Sequence, residues 1–120
     1  MVEILLDTDI FIDHLRGARA IAKTSISFAY SVITRTELLA GRASGETIIR
    51  ALLAPMREVV VDRAIAERAG LLRRGLNVLT PDALIAATAL ELRIPLMTRN
   101  RRDFERIPDL KIYAPESDPA

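Results

Sequence analysis

The apolar positions of this chain fall into short runs separated by polar turns, and the runs are of two kinds. Residues 2–6, 27–33, 58–61, 95–98 and 110–113 are brief and rich in Ile, Leu, Val, Phe or Tyr, which predicts five strands. Residues 9–15, 34–42, 46–53, 62–74 and 82–92 carry helical spacing or length, which predicts helices. A further short helical piece is expected at 18–24 and a single turn at 103–106. Gly17, Gly41 and Pro55 punctuate the first half, and Asp62 is placed to cap the helix that follows it. Thr80 and Pro81 make an N-cap and first-turn pair for the helix opened by Asp82. The run ALIAATAL after Asp82 is apolar on every side, so this helix is expected to be packed all round. Strands alternating with helices imply an α/β domain built on a mainly parallel sheet. One domain is expected over residues 1–115, with 116–120 a loose tail.

In parallel sheets ligands bind beyond the carboxyl ends of the strands. Four acids map to that edge. Asp7 ends the first strand, Glu37 lies one turn into the helix after the second, and Asp82 opens the apolar helix. Thr98, Asn100 and Asp103 follow the fourth strand. Each acid has an ordinary structural explanation. Thr34-Arg-Thr-Glu37 is a capping-box pattern, Asp82 sits where a helix dipole favours an acid, and Asp7 and Asp103 are each placed to cap a helix. Asp9 and Asp13 share a helix-face spacing, and Asp13 and His14 read as surface residues. Their joint placement is what these explanations leave over. Two carboxylates about 4 Å apart repel by roughly 4 kcal/mol at an effective dielectric of 20, a cost that protonation or a hard cation relieves.

Composition narrows the chemistry. The 120 residues contain no cysteine and one histidine, which removes disulfides, thiolate metal sites, cysteine nucleophiles and any mechanism needing two imidazoles. The ligands on offer are oxygens, which suit Mg2+ or Mn2+ and phosphoryl chemistry. No GxSxG, GxxxxGK[ST] or GxGxxG motif is present. The absence of cysteine and of a leader-like or membrane-length apolar run fits a cytoplasmic protein with no membrane attachment. Net charge is +1, so the overall field makes no case for nucleic acid. Of the 17 basic residues all but Lys23 and Lys111 are Arg, whose planar fork suits phosphate, although a GC-rich genome produces the same bias. Asp7-Thr-Asp9 after an apolar strand also resembles the nucleophile loop of haloacid-dehalogenase phosphatases. Those enzymes need a later Lys, and neither Lys here is well placed.

Four motifs in order carry a closer resemblance: LLDTDIFID with Asp7, ITRTELLAG with Glu37, PDALIAATAL with Asp82, and LMTRNRRDF with Thr98, Asn100 and Asp103. Together they resemble the PIN-domain family, and within it the VapC toxins of toxin–antitoxin pairs. The resemblance implies an α/β/α sandwich and an endoribonuclease dependent on Mg2+ or Mn2+. It implies Asp7, Glu37, Asp82 and Asp103 as catalytic and metal-binding residues; family members differ in which residue of the turn bearing Asp103 approaches the metal. Thr8, Thr98, Asn100, Arg99, Arg101 and Arg102 are candidate contacts to metal waters or RNA phosphate, and Arg35, Arg42, Arg73, Arg74 and Arg106 are further candidates for flanking phosphates. It further implies a homodimer that becomes a hetero-oligomer with a VapB-like antitoxin. Leu38, Leu39, Ile48, Ile49, Leu52 and Leu53 serve either the core or that partner. A PIN-like binding module without turnover, or a housekeeping nuclease, remains the alternative.

Overall fold

The computed structural model describes residues 2–21, 25–42 and 44–114. Its elements run β1 (Glu3–Leu6), α1 (Thr8–Leu15), β2 (Ser27–Ser31), α2 (Val32–Ala40), α3 (Glu46–Leu53), β3 (Arg57–Val59), α4 (Arg63–Gly75), α5 (Thr80–Leu92), β4 (Leu96–Met97) and α6 (Arg101–Phe104). The strands form one sheet in the order β3-β2-β1-β4, with every pairing parallel. Parallel neighbours require crossovers, and helices supply them on both faces.

The two-residue period of a strand explains the layers. Ile4 and Leu6 point to one face, where they meet Ile10, Phe11, Tyr30, Leu38, Ile49 and Leu53 from β2 and α1–α3. Leu5 points to the other, where Ala29, Ile65, Ala69, Ile85, Ala86, Leu96 and Phe104 gather around α4 and α5. The result is the expected α/β/α sandwich. With few aromatics, one edge-to-face pair, Phe11 against Tyr30 at 5.8 Å, anchors the first layer. On the other face α5 buries Ala83, Ile85, Ala86, Ala87, Thr88 and Ala89, as its all-round apolar pattern predicts.

Several boundaries differ from the sequence expectation. The second strand ends at Ser31 rather than residue 33, because the Ser31 hydroxyl accepts the Ile33 N–H and starts α2 there. Thr34 is therefore the third residue of the helix and not its cap, so the capping box with Glu37 does not form. Helix α5 starts one residue early, with Leu79 at the cap and Pro81 in its second position. Proline fits there equally well, since the first N–H groups of a helix lack intrahelical partners. Residues 110–113 form no strand. They make a single parallel bridge, Leu96 to Ile112, because β4 offers only two residues for pairing. Residues 18–21 are not helical, and the rest of that expected piece, 22–24, lies outside the described residues, as does the tail 116–120. The last short helix is displaced to Arg101–Phe104.

Candidate active site

Each candidate acid is delivered by a different element, and the sheet edge brings them together. Asp7 leaves β1 with its N–H bonded to the Met97 carbonyl of β4 at 2.9 Å. It then caps α1: Oδ1 accepts the Thr8 N–H at 2.8 Å, while Oδ2 accepts the Thr98 hydroxyl at 2.8 Å. The helix-cap explanation and the site explanation thus hold at once for one side chain. Asp7 is 6% exposed. Burial pushes its carboxyl from the ordinary 3.8 up to about 7, and the charges of Asp9 and Asp82 add to the rise against the lowering effect of its two hydrogen bonds.

Asp82 stands in the first turn of α5, behind Pro81, and is half-buried. No hydrogen-bond or ion-pair partner meets its carboxylate among the described residues. Burial raises its pKa, followed by the charges of Asp103, Glu37 and Asp9. Asp82 is therefore the acid that the others surround. Together with Asp103, Asn77, Val78 and Leu79 it lines a cleft of about 180 Å³ that is open to solvent.

Glu37 projects from α2 toward α1, where its Oε1 accepts the Thr8 hydroxyl at 2.6 Å. The Thr8 oxygen also lies 2.9 Å from the Thr34 hydroxyl. Asp103, on α6, accepts a short hydrogen bond from the Asn100 side-chain amide. Thr98 knits the two halves. Its hydroxyl reaches Asp7 at 2.8 Å and Asp9 at 3.2 Å, and its oxygen accepts the Asn100 N–H at 3.0 Å. Asp9 is also held by the Arg99 N–H, at 3.1 and 3.2 Å to its two oxygens. Burial raises the Asp9 pKa, and Asp13 adds to the rise.

The basic candidates separate into two groups. Arg99 is engaged by Asp13 at 2.9 Å, which also draws Asp13 into the site's margin. Arg35 is held by Glu58 at 2.6 Å and by the Tyr30 hydroxyl at 3.0 Å, and Arg73 and Arg106 bond to the Val78 and Asn77 carbonyls. Arg101 and Arg102 are exposed on α6 beside Asp103, with no ion pair among the described residues. Sequence reasoning missed Asn77, Val78 and Leu79 as cleft walls. Their position directly before the Thr80-Pro81 helix start was the available signal. It also missed the lateral contact of Thr34, which the capping-box pattern had claimed.

The donor set fits a hard divalent cation: it is all oxygen, it is acidic, and burial together with the charges of neighbouring acids raises two of its carboxyls, Asp7 and Asp82. Among the described residues no three such side chains converge tightly enough to ligate an ion as they stand. Like charges repel, and one oxygen each of Glu37 and Asp103 and both of Asp7 are occupied by Thr or Asn donors.

The chain is similar to known proteins over most of its length. The chain is 36% identical to the ribonuclease VapC19 of Mycobacterium tuberculosis over 89% of its length and 96% of that protein. It superimposes on a toxin–antitoxin complex from Klebsiella pneumoniae with a TM-score of 0.77 and 35% identity, covering 89% of this chain and 94% of that one. A DNA-bound VapBC from Salmonella typhimurium gives a TM-score of 0.80 at 25% identity, covering 94% and 98%. The PIN domain model matches residues 4–110. The chain belongs to the PIN-domain family, whose VapC ribonucleases work with a divalent metal ion.

Proposed function

We propose that this chain is an endoribonuclease that hydrolyses RNA phosphodiester bonds with Mg2+ or Mn2+, and that it is the toxin of a toxin–antitoxin pair. The observation that carries the proposal is the convergence of Asp7, Glu37, Asp82 and Asp103 from four elements onto one sheet edge. Their mutual repulsion there calls for a cation. The likeness to ribonuclease VapC19 and to toxin–antitoxin complexes supports the same reading.

Asp7 and Asp82 would be the principal ligands, with Asp103 and Glu37 completing the set. When bound, the ion supplies charge stabilisation at the phosphoryl oxygens and a more acidic water. Glu37 has one oxygen fixed by Thr8 and receives the proton of the attacking water through the other. Attack in line expels the 3′-oxygen, which takes a proton from solvent, and leaves a 5′-phosphate. Thr98 and Asn100 hold Asp7 and Asp103 in place. Arg101 and Arg102, exposed beside Asp103, grip a flanking phosphate. A single-stranded target, the usual form for sequence-specific RNA recognition, would approach Asp82 through the open cleft walled by Asn77 and Leu79.

A homodimer that also binds a small antitoxin is part of this reading. Leu38, Ile49 and Leu53 are core residues, while Ile48 is 58% and Leu39 36% exposed, so the apolar excess on α2 and α3 partly faces outward. That face suits an apolar segment of the antitoxin, whose basic side chain could then enter the acid cluster. Among the described residues no helix is long and apolar enough to cross a membrane.

The test is cleavage of cellular RNA by the purified protein with Mg2+ or Mn2+, with and without EDTA, beside the Asp82→Asn variant. Metal-dependent cleavage that Asp82→Asn abolishes is expected. Cleavage that persists in EDTA, or at the wild-type rate in the variant, would sink the mechanism. Growth arrest on expression, relieved by a neighbouring small open reading frame, separates a toxin from a housekeeping nuclease.

A further inference from the structure

Thr34 sits in the third position of α2 with 0% of its surface exposed, and Thr8 across from it is 6% exposed. Neither position needs a hydroxyl for its own helix. Ser31 already caps α2, and Asp7 already caps α1. The hydroxyls instead meet each other at 2.9 Å, and the Thr8 oxygen meets Glu37 Oε1 at 2.6 Å.

Proton counting fixes the direction of this chain. A threonine hydroxyl has one proton to donate, and an ionised carboxylate can only accept. The 2.6 Å contact is therefore Thr8 donating to Glu37, at the short distance typical of a hydroxyl on a carboxylate. With its proton committed, Thr8 can only accept at the 2.9 Å contact, so Thr34 is the donor there. The order is Thr34 to Thr8 to Glu37. Thr34 thereby occupies a lone pair of Thr8 and leaves its proton one direction to point.

We propose that Thr34 is a positioning residue for Glu37, acting through the Thr8 hydroxyl to hold one carboxylate oxygen inward and turn the other toward the cleft. The proposal rests on the ribonuclease reading and deepens it. Glu37 is a flexible three-torsion side chain on a helix face, and its charge must act on Asp82 from across the edge. Without a fixed donor it samples several rotamers, and only a fraction of them serve a water at the reacting phosphorus. Thr8, named from sequence as a candidate contact to metal waters or phosphate, is the inner link of this chain.

The test compares Thr34→Val, which keeps shape and removes the hydroxyl, with Thr34→Ser, which keeps the hydroxyl. Expected is a fall in kcat of about tenfold for Thr34→Val, the size of one hydrogen bond to a charged group, with KM within about twofold. Thr34→Ser is expected to restore kcat to within about threefold. In a Glu37→Gln background Thr34→Val is expected to cost nothing further, because the two act in series. A second readout needs no activity. The side-chain carboxyl carbon resonance of Glu37 in labelled protein should move in Thr34→Val and stay in Thr34→Ser. Undiminished kcat in Thr34→Val, equal losses with and without Glu37, or an unmoved carboxyl resonance would each overturn the proposal. A wild-type protein inert toward RNA under all metal conditions would instead remove the ribonuclease reading, while the resonance would still decide whether Thr34 orders Glu37.

Discussion

Replacing Asp7 by Asn should stabilise the metal-free protein at pH 8 and cost it about 1 kcal/mol near pH 3. Asp7 has a folded pKa of about 7 against an ordinary 3.8. Below 3.8 the carboxyl is protonated in both folded and unfolded chains and contributes nothing. Between the two values the unfolded chain has released this proton and the native one still holds it. Native stability then falls by about 1.36 kcal/mol per pH unit. The gap from 3.8 to about 7 amounts to about 4 kcal/mol, fully lost above pH 7. An Asn side chain has no such proton to lose. It can keep the Thr8 N–H bond, and its amide can donate to the Thr98 oxygen while the Thr98 proton turns to Asp9, 3.2 Å away. That exchange costs about 1 kcal/mol, which leaves a net gain of about 3 kcal/mol at pH 8.

Urea unfolding followed by circular dichroism in EDTA, at pH 4, 5.5 and 8, measures this directly. The wild-type stability should drop across the series and the variant should drop much less. It keeps a residual slope because burial also raises Asp9 and Asp82. A divalent ion works the other way. At 1,000 times its dissociation constant it adds about 4.1 kcal/mol to the wild type and much less to Asp7→Asn, which reverses the ranking. Parallel curves for the two proteins from pH 4 to pH 8 in EDTA would show that Asp7 does not hold its proton, and the electrostatic account of the site would fall with it.

Three further outcomes are expected. Asp82→Asn should lower RNA cleavage by about 100-fold or more while leaving the melting temperature level or higher, since its charge is already unfavourable where it stands; a lowered melting temperature would mark it as structural. Phe104→Ala, at a side chain 1% exposed, should cost about 3–5 kcal/mol in urea unfolding, and a loss under about 1 kcal/mol would mean that α6 is not anchored there. Arg101→Ala and Arg102→Ala should raise KM, and each should reduce the slope of log affinity against log salt for single-stranded RNA by about 0.7; an unchanged slope would clear that residue of phosphate contact.

The sheet and its layers were legible because their causes are local. The apolar run before Asp7 reads as a strand, and Ile4–Leu6 are buried on both faces; ALIAATAL reads as a helix packed all round, and α5 buries most of it. Boundaries failed where two local signals competed. Ser31 and Thr34 both offered a hydroxyl to start α2, and sequence favoured the one with a Glu three residues on. Ser31 took the cap, which freed Thr34 and Glu37 for a contact with Thr8 that no local pattern announces. The fifth strand failed for a similar reason, since a strand needs a partner edge and β4 supplies only two residues.

The same contrast governs the site. Acids at strand ends are visible in a sequence because burial makes them costly there, so Asp7, Glu37, Asp82 and Asp103 could be named from position. What holds each acid is not visible, because the donors are small hydroxyls and amides with ordinary uses elsewhere. Asp7 and Asp9 share Thr98, Glu37 takes Thr8, and Asp103 takes Asn100. No basic side chain is bonded to Asp7, Glu37 or Asp103 among the described residues; Arg99, paired with Asp13 at the margin, acts on Asp9 and lowers its pKa against the rise from burial. An Arg or Lys inside the cluster would neutralise the charge that recruits a cation. A neutral donor orients a carboxylate and leaves its charge in place. The preference for Thr and Asn over Arg, in a chain with 15 Arg, is thus what an acid cluster needs if it is to stay hungry for metal. By the same logic a basic side chain brought in from outside would silence it.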